Sequence, residues 1–171
     1  MEGRVLVAYA TRYGSTAEVA EAVAATLRDR GVAADLAGLA READLSAYNG
    51  LVLGAPLYMF RWHKQARHFL SRNREWLTQH PVAVFALGPF NDDVKELADA
   101  RKQLDKELAR YQWFEPADVV VFGGKFDPAG LRFPHNLIPA LKQLPLSDVR
   151  DWNVIRRWAA GVGDALLPAG G

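Results

Sequence analysis

Four short runs of the chain, residues 5–9, 51–53, 82–87 and 119–122, are apolar with no polar position between. A strand with one wet face alternates, whereas a strand covered on both faces does not. These runs therefore predict the inner strands of a parallel sheet with helices above and below it. A fifth run, residues 32–36, is weaker and contains Asp35, which suits an edge strand.

Between the runs the period becomes helical. Val19, Val23 and Leu27 form one stripe, with Gly31 placed to stop it. A second helix is expected from about Trp62 to about Leu77, with Phe69 and Leu70 turned inward. A third stripe is Val94, Leu97, Leu104, Leu108 and Tyr111, capped by Asn91 or Asp92; a fourth is Ile155, Trp158, Val162 and Leu166, capped by Asp148 or Asp151. Strand and helix in alternation predict a doubly wound α/β fold with right-handed crossovers. Residues 125–146 break this rhythm. They mix Pro128, Pro134, Pro139 and Pro145 with Phe126, Leu131, Phe133, Leu137, Ile138 and Leu141, and read as an ordered insertion with one or two helical turns. No repeat or second domain is visible, so residues 1–171 read as one domain.

Composition narrows the chemistry. The chain has no cysteine, which excludes disulfides, iron–sulfur clusters, thiolate zinc sites and cysteine nucleophiles. Its four histidines are dispersed without paired carboxylates, so no metal site is expected. The net charge is +1, and no nucleic-acid motif accompanies the basic run Arg61, Lys64, Arg67, Arg72 and Arg74. No apolar run approaches a membrane span and the start lacks a signal-peptide pattern. The expectation is a soluble, cytoplasmic protein, with peripheral membrane contact left open.

The most informative segment follows the first strand: Thr11, Arg12, Tyr13, Gly14, Ser15 and Thr16, leading into a good helix. A helix start offers unpaired N–H groups and a positive dipole end. Gly14 permits a tight backbone turn, and Thr11, Ser15 and Thr16 can donate hydroxyl hydrogen bonds to phosphate oxygens. The plainer reading is a capped loop with Ser15 or Thr16 as N-cap. The segment matches neither a Walker A loop nor G-x-G-x-x-G.

Two further loops join it. Gly54-Ala55-Pro56-Leu57-Tyr58 follows the third strand and Leu87-Gly88-Pro89-Phe90-Asn91 the fourth. Together with Thr-x-x-Gly-x-Thr, these positions resemble the cofactor loops of flavodoxins. The resemblance extends to the flavodoxin-like family that includes bacterial menaquinone-dependent protoporphyrinogen oxidase, through Trp62-His63, Phe69, Phe122-Gly123-Gly124-Lys125, Arg132-Phe133-Pro134 and Asp151-Trp152. Phe60 departs from it, standing where such proteins have a glycine.

The resemblance implies a five-stranded parallel sheet of order 2-1-3-4-5 in three layers, with FMN at the carboxyl ends of the strands. It implies that Thr11, Arg12, Tyr13, Gly14, Ser15 and Thr16 hold the phosphate. The ring would lie between Pro56, Leu57, Tyr58 and Trp62 on one side and Leu87, Gly88, Pro89, Phe90 and Asn91 on the other. No side chain is assigned a catalytic role, because the flavin supplies the chemistry. The expected function is redox transfer, as an oxidase or dehydrogenase of protoporphyrinogen type passing electrons to a quinone. Alternatives are a flavodoxin-type electron carrier with a protein partner, and a flavin-free interaction module. A receiver domain of the same topology is disfavoured, since Ala10-Thr11 and Gly54-Ala55 stand where its acidic residues belong.

Overall fold

The computed structural model describes residues 3–58, 61–91, 93–131 and 135–168. Five parallel strands form the sheet: β1 (Arg4–Tyr9), β2 (Ala33–Gly38), β3 (Gly50–Tyr58), β5 (Val82–Leu87) and β6 (Asp118–Phe122). Their order is β2-β1-β3-β5-β6, and the short β4 (Arg61–Trp62) folds back antiparallel on the end of β3. Once β4 is set aside, this is the expected order, with β2 at the edge.

Alternate residues of each strand face opposite layers. On one face, Val5, Val7, Val52 and Phe85 pack with Val19, Val23 and Leu27 of α1 (Ser15–Asp29) and with Ile155, Val162 and Leu166 of α6 (Trp152–Leu166). On the other, Leu6, Leu51, Leu53 and Val84 meet Phe69 and Leu70 of α2 (Lys64–Arg72), Leu77 of α3 (Arg74–Gln79), and Leu104 and Leu108 of α4 (Val94–Ala109). Each such buried leucine contributes about 2 kcal/mol of transfer free energy. This two-sided cover is why the strand runs lack alternation.

Several boundaries differ from the expectations. The second helix begins at Lys64 rather than Trp62 and is broken at Asn73, whose Nδ2 donates to the Phe69 carbonyl at 2.9 Å. An asparagine side chain that satisfies the preceding turn competes with helix continuation. Val94 is 82% exposed, because it is the first helical residue after the true cap, Asp93, whose carboxylate accepts from Lys95 N–H. Asn91 is therefore not the cap, and Asp92 lies outside the described residues. Asp151, not Asp148, caps α6.

The largest difference is in β3. Gly54, Ala55 and Pro56 are strand residues, in register with Phe85, Ala86 and Leu87. Glycine is required at position 54 by close approach, since an added Cβ would lie 1.9 Å from the Phe85 ring. The insertion forms a small hairpin of β7 (Lys125–Phe126) with β8 (Ser147–Asp148), enclosing two 3-10 turns and the short α5 (Pro139–Lys142).

Candidate functional site

The carboxyl ends of β1, β3 and β5 lie together, where the chain leaves the sheet in opposite directions from β1 and β3. That crevice is the usual ligand position in open α/β sheets. The backbone closes its floor: Ala10 N–H donates to Gly54 at 2.9 Å, and Gly88 N–H to Phe122 at 2.9 Å.

The first loop is shaped by two contacts. Thr11 Oγ1 accepts from Gly14 N–H at 2.9 Å, so this hydroxyl holds the turn. Gly14, the N-cap of α1, has φ 93°, and no side chain caps the helix. The first-turn N–H groups of an α-helix lack intrahelical acceptors. Thr16 is fully buried, yet its Oγ1 has no hydrogen-bond partner among the described residues. A buried hydroxyl without a partner costs about 1–3 kcal/mol. An orphan donor beside an uncapped helix start fits an anion.

A cleft runs from this loop along the strand ends. It is lined by Arg12, Tyr13, Ser15 and Thr16 of the first loop, Pro56, Leu57 and Tyr58 of β3, and Leu87, Gly88 and Phe90 after β5. Ten of the residues read from sequence therefore converge. The others do not line it: Thr11 and Gly14 shape the loop, and Pro89 accepts from Gly124 N–H at 2.8 Å. Asn91 bonds Glu96 at 2.7 Å at the start of α4. Trp62 is 1% exposed and donates from Nε1 to the Ala55 carbonyl at 3.0 Å, so it is a core residue beneath the strand rather than a wall of the cleft. Phe60 and residues 132–134 lie outside the described residues.

The opposite wall comes from the insertion, through Phe126, Leu131, Leu141 and Leu144, with Lys125 and Asp127. Phe90 and Phe126 pack with ring centroids 5.5 Å apart, and Ser147 Oγ donates to the Phe90 carbonyl. His135 is buried between two phenols: its Nδ1 meets Tyr13 Oη and its Nε2 meets Tyr58 Oη at 2.6 Å. The Arg12 guanidinium stands 4.7 Å over the Tyr58 ring. Burial, and secondarily Arg12, holds the His135 ring below its ordinary pKa. His63 also lines the cleft and is lowered by burial and then by Arg12; its Nδ1 accepts from Gln65 N–H at 3.1 Å, capping α2.

The model of the Flavodoxin domain family matches residues 6–140. The chain belongs to the flavodoxin family. Membership brings FMN as the cofactor and flavodoxin-type redox transfer as the activity. A curated relative, protoporphyrinogen IX dehydrogenase [quinone] of Escherichia coli (strain K12), is 25% identical over 134 residues, covering 77% of this chain and 71% of the relative. Oxidised flavodoxin 1 of Bacillus cereus superposes with a TM-score of 0.58 at 14% identity, covering 98% of this chain and 99% of that one. An archaeal flavodoxin gives a TM-score of 0.58 at 9% identity, covering 95% and 98%. At such identities these structures establish the fold. Among the described residues, no helix is long and apolar enough to cross a membrane.

Proposed function

We propose that Ser15, Thr16 and the start of α1 hold the FMN phosphate, that Tyr58 and Phe90 flank the ring, and that the protein is an FMN-dependent oxidoreductase. Its donor is a largely apolar, carboxylate-bearing macrocycle of the porphyrinogen type, and its acceptor is a quinone. The observation that carries the phosphate assignment is the orphan Thr16 hydroxyl at an uncapped helix start.

Bound FMN supplies hydride and single-electron transfer. The chain supplies the surroundings. Ser15 and Thr16 offer hydroxyl donors, and Gly14 leaves the helix N–H groups accessible. Pro56, Leu57, Leu87 and Phe90 exclude water from the cleft floor. Leu131, Leu141 and Leu144 offer an apolar wall for such a macrocycle, while Arg12 and Lys125 suit its carboxylates. The named activity of the Escherichia coli relative supports this substrate class. The near-neutral net charge also disfavours a diffusing carrier steered to a basic partner.

The test is anaerobic oxidation of protoporphyrinogen with a menaquinone analogue as acceptor. FMN-dependent turnover is the expected result. A protein that binds FMN but gives no turnover supports the electron-carrier alternative, and a colourless protein that takes up no added FMN overturns both.

A further inference from the structure

We propose that His135 is the positioning residue through which the insertion controls entry and release of the cofactor, latched while its ring is neutral and released when the ring is protonated. The proposal rests on the FMN reading of the cleft. It starts from a contrast within the insertion. Leu137 and Ile138, just beyond His135, are 66% and 44% exposed, yet His135 itself is 7% exposed. Its side chain turns inward and joins three segments that are far apart in sequence: the first loop through Tyr13, the end of β3 through Tyr58, and the insertion. Both rings meet the imidazole edge-on, at 6.1 Å and 5.3 Å between centroids.

The chemistry of the bridge is particular to a neutral ring. Neutral imidazole has one donor and one acceptor, and a phenol can serve either, so both bonds are satisfied in either tautomer. An imidazolium has two donors and no acceptor. Both phenols must then accept, and a buried positive charge must stand near Arg12, with Lys125 and His63 on the same cleft and, among the described lining residues, Glu18 and Asp127 to oppose them. The latched state therefore binds fewer protons than the open one. By linkage, opening is favoured as pH falls below the ordinary histidine value of about 6.5. Tyr13, Tyr58 and His135 line the same cleft as Ser15, Thr16 and Phe90, so the bridge stands across the space through which the cofactor enters and leaves.

Release of FMN from loaded protein, followed by recovery of flavin fluorescence at about pH 7.5 and about pH 5.5, tests this on either side of the histidine range. The FMN phosphate titrates near pH 6, and His63 titrates as well, so wild type is compared with His135→Gln. Glutamine keeps one donor and one acceptor but takes up no proton, while His63 and the phosphate are unchanged. Release from wild type is expected to accelerate on acidification by roughly tenfold more than release from His135→Gln. His135→Ala is expected to release quickly at both pH values.

Amide hydrogen exchange across residues 125–131 and 135–148, in protein without added FMN, is the second readout. Relative to intrinsic rates, wild type should exchange faster at the lower pH and His135→Gln should not. Equal pH dependence of release in wild type and His135→Gln overturns the proposal, as does wild-type release from His135→Ala. Absence of any FMN uptake would overturn the cofactor reading instead, and the exchange result then decides the latch alone.

Discussion

Arg150 donates from Nη1 to the carbonyl oxygen of Ser15 at 3.2 Å, tying the residue before α6's cap to the first residue of α1. The guanidinium also grips Asp148 through Nε and Nη2 at 2.9 and 2.8 Å and Glu18 at 3.2 Å, and stands 4.8 Å over the Trp152 ring. Its side chain is 3% exposed. The proposed phosphate end of the cleft is thus braced from behind by a buried cation whose charge is taken up by its own partners.

Arg150→Met keeps the aliphatic bulk and removes these bonds. Asp148 and Glu18 are partly exposed and can be resolvated, so the expected loss is about 2–3 kcal/mol, read from the urea midpoint. Hydrogen bonds from Arg150 chiefly hold the Asp148 carboxyl below its ordinary 3.8. Stability from that lowered value is present above 3.8 and lost as pH falls through the folded value. Wild type should show this acid-side loss, and Arg150→Met should lack it.

Gly14→Ala isolates backbone strain, because nothing lies within 4 Å of the added Cβ. With φ at 93°, the substitution should cost about 1–2 kcal/mol, and Gly14→Asn less, since asparagine tolerates left-handed geometry. Thermal denaturation of the two variants gives the ranking. Equal stability to wild type would show that the loop relaxes freely.

Trp62 and Tyr58 separate core from cleft. Trp62→Phe loses the bond to the Ala55 carbonyl and leaves a cavity in the core, so it should cost about 2–3 kcal/mol in stability, with FMN affinity within about twofold of wild type. Tyr58→Leu should weaken FMN roughly tenfold, and it also costs about 1–3 kcal/mol because the buried His135 Nε2 loses its phenol partner, so the FMN affinity is what sets it apart from Trp62→Phe. Paired fluorescence titration and denaturation distinguish them.

These pairs also show where sequence patterns suffice. The inner strands were legible because cover on both faces leaves no polar positions, and α1 because Val19, Val23 and Leu27 repeat at helical spacing. The loop at Thr11–Thr16 was legible as a strand-to-helix turn, because Gly14 can take the positive φ that the turn requires. Gly54-Ala55-Pro56 reads as a loop by composition, but its pairing with β5 makes it strand, and the Phe85 ring beside it explains why position 54 is glycine. Trp62 looks like a cleft aromatic until the fold-back of β4 buries it. His135 carries no local signal for its partners, which lie 122 and 77 residues away. A proline-rich insertion gives no period from which its inward face can be read.

Thr16→Val tests the phosphate site most directly, because valine copies the shape of threonine and removes only the orphan hydroxyl. Without cofactor the variant should be as stable as wild type or more so, since a buried donor lacking a partner is gone. Its FMN affinity should fall about tenfold or more, the cost of one hydrogen bond to a charged group, while riboflavin, which lacks the phosphate, should bind both proteins equally. Unchanged FMN affinity in Thr16→Val, or an equal loss for riboflavin, would contradict the assignment.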